Sequence, residues 1–234
     1  MARGENHRER VLSDAEQACY LRATGQIAQE IDDAYQRALN GTRAARGKEP
    51  IKPEDPYLLR DVATILLDCA LRHEECFRLR WPDVRDGALN VFARRRIPLT
   101  PRVLALLEMR RNDGADWVFP APTKSGHIEK STLKKPHKKT HALAKIEPFT
   151  LYTFRHTCLT RWAEVMDPCT FAYLAGHADF STTKRYVHPQ TETVLAALNR
   201  SREVKSGHSF GHGDEKTAEG EDPSAAVTTN LMNL

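Results

Sequence analysis

The sequence lacks the features that would direct it into a membrane or a secretory route. Its longest apolar run, residues 62–71, is interrupted by Asp68 and is far shorter than the roughly 20 residues that cross a bilayer. Residues 1–11 contain no apolar segment of the kind a secretory signal needs. The five cysteines are scattered, odd in number and without a C-x-x-C pair, which predicts reduced thiols in a cytoplasmic protein with no metal site.

The composition is that of an ordinary globular protein, and its charge is unevenly distributed. The 234 residues are 40% apolar and 28% charged, and they are enough for one good core. The net charge is +4, but residues 203–234 hold six acidic residues and two lysines, so the rest of the chain carries +8. A basic body with an acidic tail favours a polyanionic partner.

Apolar periodicity divides the chain into helices joined by polar segments. Ser13 as an N-cap and Glu16 three residues later form a capping-box pattern that opens a helix. Glycines, prolines and charges at residues 40–56 predict a surface loop. The other predicted elements are a buried helix over 58–71, β-like runs over 88–92 and 96–99, a helix over 101–111 and a last helix over 192–204.

Polar groups of one chemistry are concentrated in residues 149–189. Arg155-His156, Gly176-His177 and Tyr186 are separated by apolar residues at helical spacing, which places them at the ends or faces of short packed helices; Ser181 is the expected N-cap of the last one. Arginine and histidine can bind phosphate oxygens, and tyrosine can be a covalent nucleophile. Each residue alone has a plainer reading, because Arg155 could be a solvated charge, Gly176-His177 a helix end and Tyr186 a packed ring.

The joint pattern resembles the second half of a tyrosine recombinase (phage integrase) catalytic domain. Three matches follow one another in the right order: residues 154–157 (FRHT), residues 174–177 (LAGH) and residues 181–188 (STTKRYVH). Upstream, Leu71-Arg72, Glu75 and the run L-R-W-P-D-V over residues 79–84 resemble the family's first arginine motif. By that match Arg72 is the first catalytic arginine. The alternative is an arginine that caps a helix and pairs with Glu75.

The resemblance implies both a fold and a reaction. The fold would be mainly α with a small antiparallel β-sheet (α+β). Tyr186 would attack a DNA phosphodiester to form a 3′-phosphotyrosyl bond, while Arg72, Arg155 and His177 bind the oxygens of the transition state. The chain would then be a site-specific recombinase or integrase, needing no metal, other cofactor or small-molecule substrate.

Two departures from the family pattern bear on activity. The family carries a lysine in a hairpin, and this sequence has no lysine between Lys52 and Lys124; Arg96 matches a strand start there but is a poor general acid. The family's histidine three residues before the second arginine is Tyr152, which can donate a hydrogen bond but cannot shuttle protons near neutral pH. Tyr152, Arg96 and Glu75 are therefore accessory candidates for the catalytic site, and His156 is expected to position its loop.

These departures are consistent with an alternative function, a non-catalytic DNA-binding remnant of an integrase.

A lysine-rich stretch over residues 123–147 predicts contact with DNA. It holds seven lysines and two glutamates, and the resemblance places it beside the active site. The alternative is a solvated, mobile loop. The DNA-binding candidates are Lys134, Lys135, Lys138 and Lys139, and the expected partners are double-stranded DNA and further copies of the chain, as a dimer or tetramer on DNA. The last helix could dock on a neighbouring subunit or pack on its own domain.

The domain organisation follows the same resemblance. Residues 1–56 are expected to be N-terminal helices and a polar loop of the catalytic domain, residues 57–204 the tyrosine recombinase catalytic domain, and residues 205–234 a disordered acidic tail. Too few residues precede the first arginine motif for the family's usual N-terminal core-binding domain. We therefore expect a catalytic domain alone, as a gene fragment or a minimal form.

Overall fold

The computed structural model describes residues 10–44, 55–92, 94–111, 114–187 and 191–206, and its helices and small antiparallel sheet confirm the predicted α+β class. The chain divides into two units, residues 1–188 and residues 189–234. The described helix of the second unit is α9 (Thr191–Ser206), where the last helix was predicted. The elements of the first unit are α1 (Asp14–Ala44), α2 (Leu58–Cys69), α3 (His73–Phe77), a 3₁₀ turn (Trp81–Asp83), β1 (Val84–Arg85), β2 (Ala88–Val91), β3 (Arg95–Pro98), α4 (Pro101–Arg110), α5 (Lys130–Ala144), α6 (Leu151–Val165), α7 (Pro168–Ala175) and α8 (Phe180–Lys184). Of the helices described, none is long and apolar enough to cross a membrane.

Helix α2 forms the centre of the core. Its Val62, Ile65 and Leu66 are fully buried, and the helix packs against α1, α4, α5 and α6. Burying each such side chain contributes about 1.5–3 kcal/mol. Asp61 is a buried charged residue of this helix, and its carboxylate is paired with Arg110 at 2.7 Å and Arg60 at 2.9 Å. Paired in this way, the buried charge avoids the cost of an unpartnered ion.

Helix α1 begins as predicted and ends later than predicted. The Ser13 N–H donates to Glu16 Oε2 at 2.8 Å and the Glu16 N–H donates to Ser13 Oγ at 3.2 Å, which confirms the capping box. The helix then continues through Gly41 to Ala44, so the loop predicted from residue 40 starts too early. A helical glycine costs only about 1 kcal/mol relative to alanine, which is too little to end a long helix.

The end of α2 places the first arginine of the predicted site. The helix stops at Cys69 rather than at residue 71, because Ala70 adopts a left-handed conformation with φ 47°. Arg72 is consequently extended and caps the start of α3. The sequence prediction ran the helix two residues too far, since Leu71 continues the apolar run but is buried beyond the helix end.

The sheet is a three-stranded antiparallel meander in the order β1-β2-β3. Residues Asp86 and Gly87, both with positive φ, make the turn between β1 and β2. In β3, alternation buries Arg95 and Ile97 and leaves Arg96 and Pro98 exposed. The sheet therefore delivers Arg95 inward, since successive side chains on a strand point to opposite faces.

The lysine-rich stretch and the last motif differ from their predicted forms. Residues 130–144 of that stretch are helix α5, which corrects the loop alternative, and Pro136 lies inside the helix. The face of α5 that carries Leu133, Thr140 and His141 is buried, and the helix packs on α1. Helix α8 is capped by Asp179, whose carboxylate accepts from the Ser181 N–H at 2.9 Å, so the cap is not Ser181.

Candidate active site

A buried carboxylate, Glu75, joins two arginines. Arg72 donates to it from Nη1 at 3.0 Å and from the backbone N–H at 2.8 Å, and Arg95 donates from Nη2 at 2.7 Å and Nη1 at 3.3 Å. Burial alone would raise the pKa of Glu75, but these hydrogen bonds from Arg72 and Arg95 hold that pKa below its ordinary value. Glu75 is therefore ionised at neutral pH and fixes both guanidinium groups.

Arg155 is held by main-chain carbonyls instead of a carboxylate. It lies on α6 and is 3% exposed; Nη1 donates to the carbonyl of Ala70 and Nη2 donates to that of Ala175 at 2.6 Å. Burial, and then the charge of Arg72, lower the pKa of Arg155 to about 10, so the group remains charged at neutral pH. These carbonyls lie at the end of α2 and the end of α7, so three helices orient one guanidinium.

Gly176, directly after the Ala175 carbonyl that accepts from Arg155, also lies against Arg72 and Arg95. Its φ is 65°, the left-handed conformation predicted for a helix-ending glycine, and its carbonyl accepts from Arg72 Nη2 at 3.2 Å. A Cβ at this position would lie 1.9 Å from Arg95 Nη1. The backbone conformation and the close approach of Arg95 therefore both favour glycine at this position.

Arg95 is the residue of this cluster that the sequence prediction missed. Three consecutive arginines make the choice among them ambiguous, and the family resemblance favours Arg96. The structure places Arg96 on the exposed side of β3, where its guanidinium donates to the carbonyl of Asp86 at 3.2 Å, outside the Glu75 cluster. The available signal was the strand period, because Ile97 belongs to the core and Arg95, two residues away, shares its face.

His177 follows the glycine and packs beside the tyrosine. Its Nδ1 lies 3.0 Å from the hydroxyl of the fully buried Thr183 on α8. Burial, and then the charges of Arg155 and Arg72, lower the pKa of His177 to about 4, so the ring is neutral at pH 7. The rings of His177 and Tyr186 are stacked with centroids 6.1 Å apart, and Phe171 packs on both at 5.5 and 5.6 Å.

Tyr186 lies in the turn after α8 with its hydroxyl held among polar groups. His156 Nδ1 is 3.1 Å from that hydroxyl, and the two rings are 5.3 Å apart. Burial first, and then Tyr152, including a hydrogen bond between the two side chains, raise the pKa of Tyr186 to about 12, against a smaller lowering by the charge of Arg155. Tyr152 therefore lies at the site, and His156 contacts the hydroxyl of the candidate nucleophile.

The four candidate lysines of α5 are all exposed but have different surroundings. Lys134 and Lys138 line a groove of about 880 Å³ together with Leu151, the residue before Tyr152. Lys139 Nζ lies 3.6 Å from Glu30 of α1. Lys135 is exposed to solvent. The lining of the groove is mainly apolar beneath its lysines. Because α5 is a helix with one buried face, its lysines are cationic groups on a packed helix and not on a loop.

The arrangement has the components needed for chemistry on a phosphodiester. Arg72, Arg155 and His177 supply hydrogen-bond donors around one region, and the charges of these arginines act on His177. Tyr186 supplies a hydroxyl next to that histidine. Donors that are already fixed by buried partners stabilise developing charge without reorganising at the moment of reaction.

Comparison with known proteins identifies relatives of the same kind. The sequence profile of the phage integrase family matches residues 45–193. Tyrosine recombinase XerC of Caldanaerobacter subterraneus subsp. tengcongensis is 25% identical over 169 residues, which cover 63% of this chain and 46% of that protein.

Solved structures share the fold at low identity. The crystal structure of XerA recombinase gives a TM-score of 0.55 at 16% identity and covers 86% of this chain and 66% of the other. XerH site-specific recombinase bound to difH substrate gives a TM-score of 0.55 at 16% identity, with 81% and 53% covered. The Tn1549 transposon integrase in complex with transposon right end DNA gives 0.51 at 19% identity, with 64% and 60% covered. The fold is that of tyrosine recombinase catalytic domains, and the chain spans less than two thirds of the length of each of these relatives.

Proposed function

The chain belongs to the phage integrase family, and we propose that it cleaves and rejoins DNA strands through a 3′-phosphotyrosyl bond on Tyr186. The hydroxyl oxygen of Tyr186 attacks the scissile phosphorus, and the 5′-oxygen of the next nucleotide leaves. The reverse reaction, with a 5′-hydroxyl from another strand, reseals the DNA. Because the phosphotyrosyl bond conserves the energy of the broken bond, no external energy source is needed.

The observation that carries this proposal is the convergence of Arg72, Arg155 and His177 on the region of Tyr186. In the five-coordinate transition state, negative charge builds on the non-bridging oxygens, where the two guanidinium groups would bind it. With Nδ1 accepting from the Thr183 hydroxyl, neutral His177 would carry its proton on Nε2 and donate it to a phosphate oxygen. Glu75 and Arg95 act on this step indirectly, by holding Arg72 in place.

The proposed ligand is double-stranded DNA, and the proposed assembly is a homo-oligomer on DNA. XerH is described bound to its difH substrate and the Tn1549 integrase with transposon DNA, which supports DNA as the ligand here. Strand exchange between two sites requires paired protomers, which supports a dimer or tetramer. The domain boundaries at residues 56 and 204, and the cytoplasmic location, remain predictions from the sequence.

A suicide-substrate assay tests the proposed reaction. A pool of nicked duplexes with a randomised target region is incubated with the purified chain, and covalent protein–DNA adducts are isolated on denaturing gels and sequenced. We expect an adduct with the wild-type chain and none with Tyr186→Phe. Tyr35→Phe, on α1 and not among the candidate site residues, is the matched control and should keep the adduct.

The competing function is a DNA-binding remnant without turnover. The observation that favours it is Tyr152 at the position where the family has a histidine, together with the absence of lysine from the sequence between Lys52 and Lys124. DNA retention on native gels with no adduct from the pool supports the remnant. An adduct that persists in Tyr186→Phe contradicts the assigned nucleophile.

A further inference from the structure

The hydroxyl of Tyr186 needs a proton acceptor before it can attack phosphorus at neutral pH. A tyrosine hydroxyl ordinarily loses its proton only near pH 10. In this chain, burial and Tyr152 raise that pKa further, to about 12. At pH 7, Tyr186 is then ionised in only a small fraction of the molecules, so a neighbouring base would increase the rate of attack.

His156 is the group placed to accept this proton. Its Nδ1 lies 3.1 Å from the Tyr186 hydroxyl oxygen, within the reach required of a general base. It lies on α6 directly after Arg155, whose guanidinium is anchored to the ends of α2 and α7. The base and one of the proposed phosphate-binding groups are thus positioned by the same turn of helix.

The other groups facing Tyr186 are less suited to accept its proton. Tyr152 hydrogen-bonds with Tyr186 but is itself a phenol, and Arg155 and Arg185 are cations that act on it through charge. His177 stacks on the ring at 6.1 Å, and its Nδ1 is engaged by Thr183 at 3.0 Å. Among the side chains described around this hydroxyl, His156 alone combines direct contact with a lone pair of suitable basicity.

We propose that His156 is the general base of strand cleavage, and this role rests on the proposed reaction at Tyr186. As the Tyr186 oxygen bonds to phosphorus, its proton moves to Nδ1 of His156, whose own proton is then on Nε2. The bond from phosphorus to the 5′-oxygen breaks, and that oxygen takes a proton from a solvent water. The imidazolium then neutralises the resulting hydroxide through solvent, or returns its proton to Tyr186 when a 5′-hydroxyl reseals the strand.

The first test measures the tautomer of His156 in the full chain without DNA. Long-range proton–nitrogen NMR spectra of the ¹⁵N-labelled protein at pH 7.5 distinguish protonated from unprotonated ring nitrogens, and loss of one signal set in His156→Gln assigns the residue. We expect Nδ1 to be unprotonated and Nε2 to carry the proton. A ring with its proton on Nδ1 would donate to Tyr186 instead, which overturns the proposal whether or not the chain cleaves DNA.

The second test follows adduct formation on the suicide duplex as a function of pH. We expect His156→Ala to react about 10²–10⁴-fold more slowly at pH 7, the usual range for a lost general base. Wild-type rates should fall as His156 is protonated at low pH, and the variant should lack this limb and recover with added imidazole. A merely structural role would not produce imidazole rescue.

The outcomes separate the two proposals. If the wild-type chain forms the adduct and His156→Ala matches it within about twofold across pH, where a lost general base would cost 10²–10⁴-fold, His156 is not the base. If the wild-type chain forms no adduct, strand cleavage itself fails. If His156→Ala is slow and imidazole does not restore it, the residue is structural. Thermal unfolding of the variant shows in parallel whether it folds.

Discussion

Two cationic regions of this molecule are built in opposite ways. In the first, Arg72, Arg95 and Arg155 are fixed by a buried carboxylate and by main-chain carbonyls at helix ends. In the second, the lysines of α5 are exposed along a helix, and Lys139 forms an ion pair with Glu30 at 3.6 Å. Fixed charge is suited to stabilising a transition state, whereas exposed, flexible charge contributes affinity for a polyanion.

The difference shows that burial, more than the number of charges, separates the arginine cluster from the lysines of α5. Arg95 is almost completely enclosed, so its charge needs Glu75 for the fold to be stable. An exposed lysine needs no partner, because water solvates it at little cost. Substitutions should therefore change stability and rate in the arginine cluster, and affinity on α5.

The largest expected effect is on stability, from removal of the shared carboxylate. Glu75→Gln leaves Arg95 buried without its countercharge, and breaking a buried ion pair in this way costs about 3–5 kcal/mol. The measurement is urea unfolding followed by circular dichroism. Glu74→Gln, on a side chain that is 55% exposed and lies near His73, is the matched control and should cost less than about 1 kcal/mol. Equal losses for the two variants would show that Glu75 does not hold the cluster.

The next effect is on rate, from removal of an arginine at the mouth of the cluster. Arg72→Gln should slow adduct formation by about 10²–10³-fold, because the side chain would bind charge that develops in the transition state. Its side chain is 48% exposed, so the variant should still fold. Arg80→Gln also alters an arginine side chain with 48% exposure, paired with Asp116, and should keep the wild-type rate. Equal rates for both variants would remove Arg72 from the proposed machinery.

A smaller effect isolates the close packing of Gly176. Gly176→Ala and Gly87→Ala share a left-handed cost of about 1–2 kcal/mol, since φ is 65° and 67°. A Cβ at Gly87 meets nothing within 4 Å, whereas one at Gly176 lies 1.9 Å from Arg95 Nη1. We expect only Gly176→Ala to slow adduct formation, by about tenfold, equal to about 1.4 kcal/mol of barrier. Quenched time courses of adduct formation measure the rate, and thermal unfolding measures the stability of each variant.

The smallest effect concerns α5 and leaves the fold unchanged. Lys134→Ala with Lys138→Ala should reduce the slope of log affinity against log salt by about 0.9 for each phosphate that the variant no longer neutralises. Lys139→Ala should change it less, because Glu30 already neutralises part of its charge. Fluorescence anisotropy with a labelled duplex at several salt concentrations measures the slope. An unchanged slope in the double variant would place the DNA on another surface.

Much of the fold was predictable because local signals and burial agreed. The capping box at Ser13 and the apolar run of α2 were predicted correctly, and Gly176 ends α7 as the plainer interpretation of Gly176-His177 has it. The predictions that failed relied on one local signal, a glycine in α1 and a run of lysines in α5. Helix α1 passes through Gly41, and the lysine-rich stretch folds as α5 because one face packs on α1.

The resemblance of the ordered motifs to the tyrosine recombinase family indicated the candidate set at Arg72, Arg155, His177 and Tyr186, since the order and residue types of these motifs are visible in the sequence itself. Only the tertiary structure decided which neighbours act on them. It paired Arg95 with the Glu75 carboxylate, which Arg72 also contacts, and it brought His156 to the hydroxyl of Tyr186. The Glu75–Arg95 contact joins residues 20 positions apart and the His156–Tyr186 contact joins residues 30 positions apart, and no local pattern encodes such contacts.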